Sequence, residues 1–292
     1  MAFTLKIRAT GQYEHFSFGE LLENCGFSFG HDNEFHILQE GMENRTAILY
    51  NPDCIGRGIF FDARNIDDNA EIVISYNIPT TRAEIEDFVG LAREIERQFE
   101  EVEMFCVEEE RTYTTVELCQ SIEAMVEFSR TALNSFCSNK EYAAKMLTLA
   151  KWPITLPEEL VEELAACEDL DEFEDFIHDK QDMDVYYGKP RLYENKNGGI
   201  LAVYTLTEEC ESIFPTKADG FLNLDGIKVT DGVIQFYIYS EDRVVDGLFD
   251  YEKFVEYVLE NGAEYYDPDH ILVPEMTKDE IEKMARAVPV GI

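Results

Sequence analysis

The sequence predicts an α+β fold, antiparallel sheets with amphipathic helices packed on them, and three observations carry that reading. Short β-branched and aromatic segments alternate in polarity and are separated by Gly, Asn, Asp and Pro, as antiparallel strands joined by turns are. Other stretches repeat apolar residues at helical spacing, several of them opened by a Ser/Thr-x-x-Glu capping box. And 45% of the 292 residues are hydrophobic and 12% aromatic, ample material for a core.

Taken in order, Phe3–Ala9 alternates as a strand, and Ser17-Phe-Gly-Glu20 caps a short helix over Leu21 and Leu22. Glu34–Gln39, Thr46–Tyr50, Gly58–Asp62 and Glu71–Ile78 form the pattern of a four-strand meander. Thr81-Arg-Ala-Glu84 then opens a helix to Phe99 whose face is Ile85, Phe88, Val89, Ala92, Ile95 and Phe99. Val102–Val107 is a further strand. Thr114-Thr-Val-Glu117 caps a long helix with Leu118, Ile122, Met125, Phe128 or Ser129, Leu133 and Phe136 on its apolar face. Residues 143–156 fit a helix at first and an alternating strand later, and Trp152-Pro153 and Pro157 mark a boundary.

Two acidic helices are expected next, one from Pro157 to about Cys167 and one from Asp169 carrying Phe173, Phe176 and Ile177. Val185–Tyr193 and Ile200–Thr207 flank Asn195-Lys-Asn-Gly-Gly199, a hairpin signal. Val233–Ser240 is a strand, Asp250–Glu260 a helix closed by Asn261-Gly262, and Thr277-Lys-Asp-Glu280 opens a last helix. At this length one core commonly gives way to two. The expected division is an N-terminal lobe, 1–140, and a C-terminal lobe, 141–292, that holds the acidic helical segment 157–184; a single domain stays open.

Charge excludes some partners. Against 61 Asp and Glu stand 24 Lys and Arg, a net charge of −37. A surface for nucleic acid or an anionic membrane needs clustered Lys and Arg, and none occurs. A basic protein remains as a partner class, and so does plain solubility. No apolar run approaches membrane-spanning length, and the first residues alternate in polarity where a signal peptide would be continuously apolar, so a cytoplasmic protein is expected. Seven cysteines without Cys-x-x-Cys spacing read as reduced and mostly buried, Cys119 and Cys137 within the long helix among them.

Chemistry-bearing motifs are few. Neither a Gly-x-Gly-x-x-Gly nor a Gly-x4-Gly-Lys-Ser/Thr loop occurs; Cys54-Ile-Gly-Arg-Gly58 reads as a turn in which Arg57 is a candidate carboxylate anchor. His15, His31, His36, His178 and His270 lack metal-site spacing, and Asp182-Met-Asp184 lacks the rest of a calcium loop, so no metal and no cofactor is expected. His31-Asp32 and Asp267-Pro-Asp269-His270 set carboxylates beside imidazoles, an arrangement that could bind a divalent cation or work as a base with its orienter; acidic turns give the same adjacency, and if the protein is an enzyme, His270 or His36 is its general base.

The densest charge run is 157–184, where thirteen acids face one base, Lys180. Like charges at i,i+4, such as Glu158/Glu162 and Glu159/Glu163, weaken a helix, so helix stability does not select them. Glu158, Glu159, Glu162, Glu163, Asp171, Glu172 and Asp175 are the candidate interaction surface, with a merely solvated acidic face as the competing reading.

At Ile55-Gly-Arg-Gly58, the strand Glu71–Tyr76, and Ile78-Pro-Thr-Thr-Arg-Ala-Glu-Ile85 leading into Asp87–Phe99, the chain resembles a domain-of-unknown-function family of low-GC Gram-positive bacteria. The resemblance implies a bacterial cytoplasmic protein and carries over no activity and no site residue. The leading reading is a non-catalytic protein acting by protein–protein contact through the acidic run. An immunity or inhibitor protein against a basic toxin or nuclease is the second reading, and an enzyme of unrecognised type the third.

Overall fold

A computed structural model describes residues 1–10, 16–33, 35–66, 69–141, 144–194, 198–220 and 228–291. They form two compact units, Met1–Met183 and Asp184–Ile292. Helix and strand both contribute heavily, and the fold is α+β as the pattern predicts.

The first unit runs β1 (Ala2–Thr10), α1 (Phe18–Cys25), β2 (Ser28–Asp32), β3 (Leu38–Glu40), β4 (Thr46–Tyr50), β5 (Ile59–Ile66), β6 (Asn69–Asn77), α2 (Arg82–Arg97), β7 (Glu101–Cys106), β8 (Arg111–Tyr113), α3 (Thr115–Ser138), β9 (Met146–Thr148), β10 (Pro153–Thr155), α4 (Glu158–Leu164) and α5 (Asp171–Asp179). Eight strands make one sheet in the order β3-β2-β4-β5-β6-β1-β7-β8. Every pair in it is antiparallel. Alternation decides which side is core. Leu5 and Ile7, Leu49, Phe61, Ile72 and Ile74 point to one face, where α2 buries Ile85, Phe88, Leu91, Ala92 and Ile95 against them. The opposite face carries Ile48, Phe60, Ser75 and Asn77, and the turn from β9 to β10 closes over part of it.

Caps fix where the helices start. Thr114 and Thr277 form complete capping boxes with Glu117 and Glu280. Thr81 accepts from the Glu84 N–H, but the Glu84 carboxylate turns away into the protein instead of closing the box. The long helix α3 buries Ser129 and leaves Phe128 half exposed, settling the choice the pattern left open. Its reason is local: the Ser129 hydroxyl accepts from the Thr80 N–H at 2.7 Å and donates to the Thr80 carbonyl at 2.6 Å, which a phenyl ring cannot do.

Of the ambiguous stretch 143–156, residue 143 lies outside the described residues, and residues 146–155 form a hairpin, β9 with β10, and not a helix. Residues 144–183 belong with the first unit, beyond the division expected at 140. Asn134 and Arg130 of α3 donate to the carbonyls of Leu164 and Cys167, and the buried Gln181 donates to those of Ile55 and Gly56, so side chains pin this segment to the earlier strands and helices. Two further expectations are corrected. Cys119 is exposed, because it sits beside Leu118 on the solvent side of α3, and of the seven free cysteines only Cys106 and Cys137 are buried. The strand expected at Glu34–Gln39 shortens to Leu38–Glu40; Glu34 lies outside the described residues, and His36 has a left-handed backbone (φ 55°) within a turn that breaks the ladder.

The second unit runs β11 (Tyr186–Tyr187), β12 (Arg191–Glu194), β13 (Ile200–Thr207), β14 (Ser212–Pro215), β15 (Val229–Ile238), β16 (Arg243–Val244), β17 (Phe249–Asp250), α6 (Tyr251–Glu260), β18 (Glu264–Asp267), β19 (His270–Val273) and α7 (Lys278–Ala287). One sheet has the order β11-β14-β19-β18 and another β12-β13-β15-β16, with β17 also on β15. The predicted β12–β13 hairpin is present, although Asn195–Asn197 of its turn lie outside the described residues. Two pairs, β13 with β15 and β11 with β14, are parallel, which an antiparallel reading does not anticipate. Ile234, Phe236 and Ile238 of β15 share a core with Phe214, Phe254, Ile271 and Met284.

Phe88 is fully buried, 4.9 Å from the Tyr76 ring and 5.7 Å from that of Phe3, both edge-on. Phe88→Ala is expected to lower stability by about 3–5 kcal/mol in denaturant titration. A loss under about 1 kcal/mol would place the core elsewhere.

Candidate functional site

The segments Ile55-Gly-Arg-Gly58 and Ile78–Ile85 meet at a buried carboxylate. Glu84, in the first turn of α2, is 4% exposed. Its Oε2 accepts from the Gly58 N–H at 2.5 Å and its Oε1 from the Thr80 hydroxyl. A Cβ on residue 56 would stand 2.4 Å from Glu84 Oε2, and Gly58 has φ +88° with a Cβ position 2.5 Å from Ile48 Cγ2. Both glycines are therefore required by close approach, and Gly58 by its backbone angle as well.

Arg57, between them, threads its guanidinium past the end of β6. Nε donates to the Thr148 carbonyl at 2.9 Å, Nη2 to the Thr148 hydroxyl at 3.3 Å, and Nη1 to the Pro79 carbonyl at 2.9 Å, across the loop that includes the cis Ile78–Pro79 bond. Burial lowers the Arg57 pKa to about 10, with the Glu84 charge opposing, and burial likewise raises that of Glu84 above the ordinary carboxylate value. Both shifts have the direction of desolvation, so burial outweighs the mutual attraction.

Helix α5 grips the same loop from another side. His178 Nδ1 accepts from the Ile55 N–H at 3.0 Å, and Glu174 accepts from the Ala83 N–H at 3.0 Å and from the Cys54 thiol. Burial and Glu174 push the Cys54 thiol up to about 12, so it stays protonated at neutral pH and is no nucleophile.

Arg57 opens onto a cleft of about 210 Å³ on the open face of the sheet, lined also by Asp32, His36, Ser75, Asn77 and Thr148. His36 is placed there by an Asn33 turn, whose Oδ1 accepts from the N–H groups of Phe35 and Ile37. Its Nδ1 lies 3.2 Å from Asp32 Oδ2, and both side chains are partly exposed. Arg57 and His36, read separately from the sequence, thus share one cleft.

His270 belongs to the second unit and to a different arrangement. Its Nδ1 lies 2.8 and 2.9 Å from the two Asp267 oxygens and its Nε2 2.8 Å from the Tyr187 hydroxyl, all three side chains buried. Asp267 also accepts from the Asp269 N–H, so Asp267-Pro-Asp-His270 closes as a turn around its own carboxylate. Burial, then the Asp267 charge, raises the Tyr187 pKa well above the phenol value. The network cross-links β11, β18 and β19, the role of a buried, satisfied polar cluster.

All seven residues of the candidate acidic surface lie on α4 and α5 and are exposed, while Leu164, Leu170, Phe173 and Ile177 turn inward. Among the described residues none of the seven is in an ion pair, no three His, Cys, Asp or Glu side chains converge as for a metal ion, and no helix is long and apolar enough to cross a membrane. The sequence alone does not reveal Glu84, Thr80 and Ser129. Glu84 looks like an ordinary capping residue, and only its inward turn distinguishes it.

This is an α+β protein whose first unit is organised around a buried Glu84 and an adjoining arginine cleft. The chain belongs to the family described as Domain of unknown function (DUF4299), whose model matches residues 2–284. No curated protein and no solved structure matches it.

Ionising a carboxylate held above its ordinary value of 4.5 destabilises the fold, so the Glu84 contribution declines as pH rises from the unfolded value through the folded one. Glu84→Gln is therefore expected to gain stability relative to wild type across that rise; a difference independent of pH between about 4 and 8 would contradict it. Tyr187→Phe, leaving the buried His270 Nε2 without its phenol partner, is expected to cost about 1–3 kcal/mol in urea titration. No measurable loss would remove Tyr187 from the network.

Proposed function

We propose that the protein is a non-catalytic binding protein of the bacterial cytoplasm that docks a basic protein on the acidic face of α4 and α5. The observation that carries this reading is the contrast between neighbouring carboxylates. On α3, Glu123 is held by both terminal nitrogens of Arg82 at 2.8 Å, and Glu127 by Nη2 and Nε of Arg130 at 2.6 and 2.9 Å. The seven acids of α4 and α5 have no such counter-ions among the described residues.

A groove of about 250 Å³ adjoins this face, where Glu168, Asp169 and Asp171 stand beside the two Arg–Glu pairs and Val126 and Leu170 supply apolar lining. Apolar lining under carboxylates suits a lysine or arginine side chain, whose stem packs while its head stays charged. Anchoring through Asn134, Arg130 and Gln181 presents the helices on a fixed backbone, so docking would order little chain. An inhibitor of a basic toxin or nuclease is one member of this class. Seven free cysteines support a reducing compartment.

Docking of this kind is steered at long range, so the on-rate should fall steeply as salt shortens the Debye length from about 30 Å at 0.01 M to about 8 Å at 0.15 M. With a partner captured from the native cell, replacing Glu162, Glu163, Asp171 and Glu172 by Lys should lower the on-rate at least about tenfold in stopped flow while circular dichroism stays unchanged. An unchanged on-rate with a flat salt dependence would make these helices a solvated face only.

A further inference from the structure

Arg57 is a half-buried cation that forms no ion pair among the described residues. A guanidinium carries five N–H bonds, and the protein accepts three: Nε–H and one Nη2–H at Thr148, one Nη1–H at Pro79. One N–H on each terminal nitrogen has no acceptor among the described residues. None of their carboxylates is within ion-pair distance of the group, for Glu84, the nearby acid, is engaged by Gly58 and Thr80. Charged groups drawn partly out of water are ordinarily hydrogen-bonded through most of their donors. Here the group is held through three of its five N–H bonds and faces a cleft.

The other walls narrow the choice of anion. Ser75 and Asn77 project from β6 on the open face, and Thr148 from β9. Asp32 with His36 brings a negative group to the same cleft, which disfavours a multiply charged anion such as phosphate and favours a donor. The volume, about 210 Å³, is below the roughly 300–1,000 Å³ of pockets for drug-sized ligands. Two donors on one planar cation match the two oxygens of a carboxylate.

We infer that this cleft binds a small monocarboxylate whose other end donates a hydrogen bond, an α-hydroxy or α-amino acid of a few carbons, with the carboxylate on Arg57 and the donor toward Asp32. The acidic face on α4 and α5 plays no part in it, so the two functions stand or fall separately.

Isothermal titration calorimetry on the full chain tests this with glycolate, glycine, acetate, inorganic phosphate and the carboxamides glycolamide and glycinamide, in which the carboxylate charge is removed. Glycolate or glycine should bind with Kd below about 10 mM, and its amide at least about tenfold more weakly, because the amide presents an N–H₂ to a donor. Acetate, lacking the second donor, should fall between. Ser75→Phe, which fills the cleft and leaves the Arg57 bonds in place, should abolish the heat of the acid. The proposal is overturned if neither acid binds, if acid and amide bind alike, if phosphate binds more tightly than both acids, or if folded Ser75→Phe binds as wild type does. The acid-to-amide comparison uses wild-type protein, so it decides even where the variant does not fold.

Discussion

The first unit depends on one desolvated carboxylate. Glu84 joins the first turn of α2 to the Gly56-Arg57-Gly58 loop through Gly58 and to the preceding Thr80 through its hydroxyl. Thr80 is in turn clasped by Ser129 of α3 through both its N–H and its carbonyl. Pieces of chain far apart in sequence thereby share one hydrogen-bond network. Such a network is stabilising only when every member is satisfied, which explains two glycines with no room for a Cβ and a serine where an apolar stripe has a phenylalanine as its neighbour.

Charge is divided by depth. Inside, carboxylates serve the structure, for Glu84 holds the loop and Asp267 orients His270, and the half-buried Glu174 of α5 likewise binds the Ala83 amide. Outside, on α4 and α5, carboxylates accumulate without opposite charges, and their cost to the helices is offset by the apolar anchors Leu164, Phe173 and Ile177. The half-buried cation Arg57 inverts this arrangement, and its two donors without an acceptor among the described residues distinguish it from a purely structural arginine.

Much of this architecture is legible in the sequence. Capping and 3.6-residue periodicity locate α2, α3, α6 and α7 within a residue or two, because side-chain signals at helix starts are local. Alternation finds β1, β4 and β13 for the same reason. The hairpin at 146–155 is obscured because its two strands are three residues each, too short for a period to show. Residue type alone makes Arg57 and His36 candidates, but that they line one cleft depends on strand pairing and on the β9–β10 turn, which no local pattern encodes. His270 stands out beside its neighbour Asp267, whereas Tyr187 comes from a strand 83 residues earlier and leaves no trace in that motif.

If the Glu84 network is the unit that holds the loop to α2 and α3, its amides open together. Native-state hydrogen exchange reads this directly at Gly58, whose N–H goes to Glu84, at Thr80, whose N–H goes to Ser129, and at Glu84, whose N–H goes to Thr81. The three should exchange with the same opening free energy, to within about a factor of three in rate after correction for intrinsic chemistry. Exchange at Gly58 more than about a hundredfold faster than at Thr80 would show that the loop frays by itself and that Glu84 does not hold it.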